Sequence, residues 1–304
     1  MKVVLLSGGG GGARFARGLQ EALEPGELTV IGNVGDDLDI LGLHVSPDLD
    51  SLLYTLADLI DEGRGWGRAG ETWNALESVD GWGGESWFRL GDLDLGLHLV
   101  RSKALGNGVR LSEVTLQLAG CVGLRSTVLP ATDDRLRTHV VTPAGTFAFQ
   151  EWYVGRAHRD EVDAVRYEGA DDAVPAPGLL EKLAAADSIL LAPSNPYLSI
   201  GPILAVDAIR EAIGSRSVRC VAVSPLVGGE AVTGPAGRML SRMAGGAEPR
   251  HVTDWYTGLV DALVIDESDA PATAGVALVG TQILMHDRDA ERRLAEVVLE
   301  TACA

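Results

Sequence analysis

The chain has 304 residues, with 43 acidic against 25 basic side chains and a formal net charge of −18. That balance excludes a protein that neutralises a nucleic-acid backbone or docks on an anionic membrane, since both need a basic face. No apolar run reaches the ~18 residues of a membrane span. Cys121, Cys220 and Cys303 are odd in number and far apart, outside disulfide or metal-ligand spacing. Met1-Lys2 leads straight into an apolar run, so no leader segment is expected, and the setting expected is the reducing cytoplasm.

Residues 3–6 read as a short buried strand and residues 14–23 as a helix with Phe15, Leu19, Ala22 and Leu23 on one face. Between them stand Gly8, Gly9, Gly10, Gly11 and Gly12. Backbone N–H groups in such a loop, at the start of a helix, make an anion cradle. A plain tight turn is the simpler alternative, but it needs only one or two glycines. A second buried strand at 28–31 runs into Gly32-Asn33-Val34-Gly35-Asp36-Asp37. Strand, helix, strand with short connections predicts a right-handed parallel unit whose ligands gather beyond the carboxyl ends of the strands.

An amphipathic helix through Leu52, Leu53, Leu56, Leu59 and Ile60 follows, and the strand pattern then lapses until about residue 124. Helical patterns occupy 71–78, 92–105 and 113–118, with loops at 63–67 and 80–86. Strands at 138–142 and 146–154 form a hairpin by alternation and turn chemistry. Helix and strand then alternate: helix 179–185, strand 188–192, helix 202–213, strand 218–223, helix 236–243, strands 262–265 and 276–284, helix 290–301. The predicted fold is α/β, a Rossmann-like, mostly parallel sheet with a helical insertion and a β-hairpin. Residues 1–50 and 125–304 would form the nucleotide-binding core and 51–124 an insertion covering the cleft.

Asp36, Asp37, Asp48 and Asp50 fall close together beside the proposed cradle. Carboxylates there would repel a phosphate unless a hard cation intervened, and Mg²⁺ suits one or two carboxylates plus phosphate oxygens. Asp36, Asp37 and Asp48 are the candidate metal ligands; Asp50 could equally cap a helix starting at Ser51. Asp94, His98 and Arg101 share one helical face, either a substrate-facing stripe or a surface ion pair. Ser194, Asn195 and Ser199 follow a buried strand, and Ser224-Pro225 follows the next, so a nucleotide could be read there. Gly8-x-Gly10-x-x-Ala13 also fits a dinucleotide pattern, but Asn33 stands where a ribose-binding acid would end the second strand. A non-catalytic dinucleotide-binding protein and a nicotinamide-dependent oxidoreductase are therefore the alternatives. No Gly-x-Ser-x-Gly or Gly-Lys-Ser/Thr motif is present.

Taken in order, residues 7–15, 33–37, 46–50, 87–101, 149–152 and 193–204 make the chain resemble the 2-phospho-L-lactate transferase (CofD/FbiA) family of coenzyme F-420 biosynthesis. Gly65-Trp66-Gly67 and Glu71-Thr72-Trp73-Asn74 look most like its actinobacterial, phosphoenolpyruvate-transferring branch. The resemblance implies an Mg²⁺-dependent transferase with a guanosine diphosphate-linked three-carbon acid as donor. Its acceptor would be the ribityl hydroxyl of 7,8-didemethyl-8-hydroxy-5-deazariboflavin, with GMP leaving. By that analogy Gly8–Gly12 cradle the diphosphate, Asp36 and Asp37 belong to the metal and reaction centre, and Asp50 and Arg89 meet the deazaflavin. Asn195 and Ser199 fall in the nucleotide part of the cleft, and Asn33 and Ser194 are further candidate binding residues. The residues leave the oligomeric state open, a homodimer being one assembly the chain could form. Trp66, Trp73, Trp82, Trp87 and Phe88 are expected partly to fill a small core of the insertion and partly to wall the acceptor site.

Overall fold

The computed structural model describes residues 1–270 and 272–304, and in it seven short apolar runs join in one sheet. They are β1 (Val3–Ser7), β2 (Leu28–Gly32), β3 (Thr127–Pro130), β4 (Ser188–Leu191), β5 (Cys220–Val223), β6 (Ala262–Asp266) and β7 (Ala277–Thr281). Every pairing is parallel, in the order β7-β6-β5-β4-β1-β2-β3. β1, β2, β4, β5 and β6 are buried along their whole length, which is why they lack alternation: helices cover both faces. The strand order reverses between β1 and β4, so the crevice lies beyond their carboxyl ends, where ligands of such sheets bind. Gly8, Asn33 and Pro193-Ser194 all emerge there.

Helix α1 (Gly9–Ala22) follows β1 without a loop. Four of the five glycines are therefore helical, against the expected loop. Gly8 is the N-cap and Gly9 takes φ +71°, a left-handed conformation glycine adopts freely. Helix α2 (Pro47–Leu56) starts four residues earlier than Ser51, placing Asp48 and Asp50 inside its first turn. Asp50 is thus not the cap; proline at the first position pre-sets the helix.

Helices α3 (Asn74–Gly81), α4 (Asp92–Gly106) and α5 (Leu111–Cys121) follow. Leu49, Leu52, Leu56, Leu111 and Val114 of α2 and α5 join the main core. Ile40, Val45 and Leu90 make a small separate cluster with Phe88 and Leu95 packed on it. Trp66, Trp82 and Trp87 are exposed, Trp82 almost wholly, and Trp73 half-buried, so these tryptophans do not fill a core of the insertion as expected.

Three further expectations are corrected. The strand expected at 146–154 ends at Ala148, and the chain coils through Glu151–Gly155 so that Trp152 is wholly buried. Residues Ala164–Glu168 add a third strand to that hairpin; charged Arg166 and Glu168 hid it. The helix expected at 202–213 is two, Gly201–Leu204 and Asp207–Gly214, because Val206 turns extended to bury its side chain. The short hairpin Leu38–Ile40 with Leu43–Val45 was not foreseen: its turn places Leu41, an unusual turn residue, at φ +54°.

Candidate active site

A cavity of about 780 Å³ opens at the switch point, with Gly8 to Gly11 on one side and Asp36, Asp48 and Asp50 on another. The first-turn amides of α1 lack intrahelical acceptors. Gly9 N–H already donates to Asp48 Oδ1 at 2.8 Å, leaving those of Gly10 and Gly11 for a ligand. The approach is close: a Cβ on Gly8 would lie 2.7 Å from Asp48 Oδ2 and 2.9 Å from Ser199 Cβ. Any side chain there would push apart the two elements that frame the crevice.

Asn33 is wholly buried and stands behind Asp48. Its Nδ2 donates to Asp48 Oδ2 (2.9 Å) and its Oδ1 accepts from Gly35 N–H (2.7 Å). Asp37 lies behind the wall as well. Its Oδ2 accepts from Ser46 Oγ at 2.9 Å, and His44 Nε2 lies 3.1 Å from it. Gly12 is buried beside Ser194 Oγ, where a Cβ would come within 2.8 Å. These three candidates shape the wall, and the cavity lining does not include them. Among the described residues no group of three or more His, Cys, Asp or Glu side chains converges on a metal position.

Of the candidate metal ligands, Asp36 and Asp48 face the cavity. Asp36 Oδ1 is buried and has no hydrogen-bond partner among the described residues. Burial, with the Asp48 charge next, holds the Asp36 carboxyl well above its usual range. Burial likewise pushes Asp48 up to about 6, although Gly9 N–H and Asn33 work the other way. Two buried, mutually repelling carboxylates with an orphaned oxygen fit a site for a hard cation that keeps water and phosphate oxygens as its other ligands.

Ser194, Asn195 and Ser199 line the cavity as expected. Ser194 Oγ donates to Gly8 O at 2.7 Å, tying the loop after β4 to the start of α1. Asn195 Oδ1 accepts from Tyr197 and Leu198 N–H, so it also caps the turn that follows. Arg89 lines the cavity, exposed, with its guanidinium 4.4 Å from the Trp73 ring centroid.

The family profile described as 2-phospho-L-lactate transferase CofD matches residues 3–302. The chain belongs to that family. A Kitasatospora aureofaciens protein named phosphoenolpyruvate transferase is 44% identical over 318 residues, covering 99% of this chain and 98% of that protein. A Streptomyces griseus protein of the same name is 42% identical over 313 residues, with 99% and 98% covered. A crystal structure of a Bacillus halodurans protein superposes with a TM-score of 0.66 at 20% identity over 98% of this chain and 99% of that one. It shows the fold: the α/β architecture of this CofD member is shared by a distant chain. Among the described residues no helix is long and apolar enough to cross a membrane.

Several lining residues were not among the sequence candidates. Tyr54 lies one helical turn beyond Asp50, and that spacing was the available signal. Phe149, Gln150 and Tyr153 form a wall, and Gln150 Nε2 donates to Asp36 O at 3.3 Å. Arg14 and Arg64 also reach the cavity, as do residues 283–285 after β7. Nothing in the sequence around 283–285 marks them; tertiary folding alone brings them there.

Proposed function

We propose that this chain transfers a phospho-three-carbon-acid group, phosphoenolpyruvyl or 2-phospho-L-lactyl, from a guanosine diphosphate-linked donor. The acceptor is the ribityl hydroxyl of 7,8-didemethyl-8-hydroxy-5-deazariboflavin, and GMP is released. The observation that carries the reading is the meeting of free helix-start amides with the buried Asp36–Asp48 pair, whose Asp36 Oδ1 has no partner among the described residues, in one cavity. A passive diphosphate site has no use for carboxylates at its edge, whereas phosphoryl transfer runs on positioning and charge stabilisation. Family membership and the full-length relatives named phosphoenolpyruvate transferase support the reaction class and favour the phosphoenolpyruvate-derived acid.

In this reading the amides of Gly10 and Gly11 hold the donor's diphosphate, and Ser194 and Ser199 border its nucleotide side. Asp36 and Asp48 would hold Mg²⁺, which when bound balances charge on the diphosphate. Asp37, fixed by Ser46 and His44, supports the wall behind them. Asp36 or Asp48 orients the attacking hydroxyl and takes its proton as the new phosphorus–oxygen bond forms. Asp50 and Arg89 lie on the acceptor side. Offering purified protein each guanylylated acid with the deazaflavin and Mg²⁺, and identifying products by mass spectrometry, tests the proposal. The expected result is an acceptor heavier by the phospho-acid group, formed best from the phosphoenolpyruvate-derived donor. No product from any donor refutes it.

A further inference from the structure

Helices α2 and α4 meet at the cavity through polar side chains. Asp50 and Tyr54 come from α2, and Asp94, His98 and Arg101 from one stripe of α4. His98 and Arg101 are the buried residues of α4, while its Leu93, Leu99 and Val100 are exposed. An apolar contact would serve stability at least as well as this buried ionic one, so the inversion points to a use for the polar groups. Arg101 donates to both oxygens of Asp50, which is thereby tied to the protein.

Asp94 is held differently. Its Oδ1 accepts from Tyr54 Oη at 2.5 Å and lies 3.3 Å from His98 Nε2. Its Oδ2 accepts no hydrogen bond from the described residues, and Asp94 lines the cavity. The His98 ring is 1% exposed, with Nδ1 3.8 Å from Asp50 Oδ2. Neither ring nitrogen meets full hydrogen-bond geometry, so His98 acts on Asp94 through the 3.3 Å approach of Nε2 to Oδ1. Burial disfavours the charged Asp94 carboxyl, but His98 and Tyr54 outweigh it and hold its pKa below the usual value.

The start of α4 is also locked. Glu71 accepts from the backbone N–H of Leu93 (2.8 Å) and Asp94 (2.7 Å). Asp92 accepts in return from Thr72 Oγ1 (2.6 Å) and Ala75 N–H (3.0 Å) at the start of α3. The two acids of Gly91-Asp92-Leu93-Asp94 thus have separate tasks, Asp92 fastening helices and Asp94 facing the cavity.

We propose that Asp94 is a further substrate-contacting carboxylate, reading a hydroxyl or imide N–H of the acceptor through Oδ2, with Tyr54 and His98 as its positioning residues. The inference rests on the reading of the acceptor given above. An ionised oxygen with an open lone pair accepts from a hydrogen-bond donor and repels anions, so it suits the polyol chain or the pyrimidine ring and not the donor's diphosphate.

The test titrates the full-length protein with the deazaflavin acceptor by fluorescence and with GDP by calorimetry. Asp94→Asn should weaken the acceptor about 10- to 100-fold and leave GDP unchanged within about twofold, as for loss of a hydrogen bond to a charged group. His98→Leu should weaken the acceptor in the same direction, and His98→Gln, whose amide can donate to Asp94, should recover part of the loss. Tyr54→Phe, which removes one hydroxyl, keeps the question open to test if Asp94→Asn unfolds; about threefold weaker acceptor binding is expected. An acceptor analogue with a methyl in place of the ribityl chain identifies the group read. A penalty that persists assigns the ring imide, and one that vanishes assigns the chain hydroxyl. Unchanged acceptor affinity in folded variants, or equal loss of both ligands, overturns the proposal. Failure of the unmodified protein to bind the acceptor overturns the parent reading and this inference together.

Discussion

A buried carboxylate oxygen with no donor costs free energy, and Asp36 Oδ1 is in that position beside the equally buried Asp48. A raised carboxyl pKa means that the folded state holds its proton more tightly than the unfolded chain. The Asp48 contribution therefore favours folding below about pH 4 and is lost as pH rises through about 6, the value to which it is pushed, and the Asp36 contribution is likewise lost as pH rises. Asp36→Asn removes one of the two charges. Without divalent cation, the melting temperature of Asp36→Asn should exceed that of the unmodified protein at pH 7.5 by a few degrees. The gap should close as the pH is lowered past 6 towards 4. Added Mg²⁺ should raise the unmodified protein's melting temperature and not the variant's, and turnover of the variant should fall by at least about a hundredfold. Calorimetric scans with Mg²⁺ and with EDTA check this; a cation response shared equally by both proteins contradicts the metal assignment.

Among the elements, the start of α1 is where the proposed reaction seats the donor, and Gly11 is where that proposal is most exposed to test. Gly11→Val would place branched carbons where the amide faces the cavity, 3.3 Å from Pro193 O at the Cβ alone. Donor affinity should fall by a few kcal/mol through clash and lost N–H contacts. Calorimetry with the guanosine diphosphate-linked donor measures it, and unchanged affinity in a folded variant would reduce the glycines to a turn device. The same element shows what was legible beforehand. The run of glycines, the apolar strands and the acids after β2 carried the sheet, the crevice and the Asp36–Asp48 pair, because those signals are local. The reach of α1 back to Gly9 was not legible, since glycine has poor helix propensity and the helix start is fixed by tertiary contacts, Gly9 N–H to Asp48 and Ser194 Oγ to Gly8 O. Asn33 and Asp37 read as ligands because their types and positions fit. What sequence spacing cannot show is which way a side chain turns, and both turn into hydrogen bonds behind the wall. The Asp94–His98–Arg101 stripe was visible as a face; whether it met solvent or α2 depended on packing.

Across the molecule, the sheet order brings β1, β2 and β4 to one crevice, while α2 and α4 close one side of it and residues 283–285 return from the far edge. In the proposed reading the chain would thus frame two ligands around one reacting centre, as a transfer between a nucleotide donor and a flat acceptor requires. In the proposed reaction the acceptor hydroxyl attacks the phosphorus carrying the acid and GMP leaves. The most direct measurement is a turnover with acceptor labelled by oxygen-18 at the terminal ribityl hydroxyl, followed by mass spectrometry of both products. The label should be retained wholly in the phosphodiester product, with unlabelled GMP formed in equal amount. Loss of the label from the product, or release of GDP in place of GMP, would contradict the account.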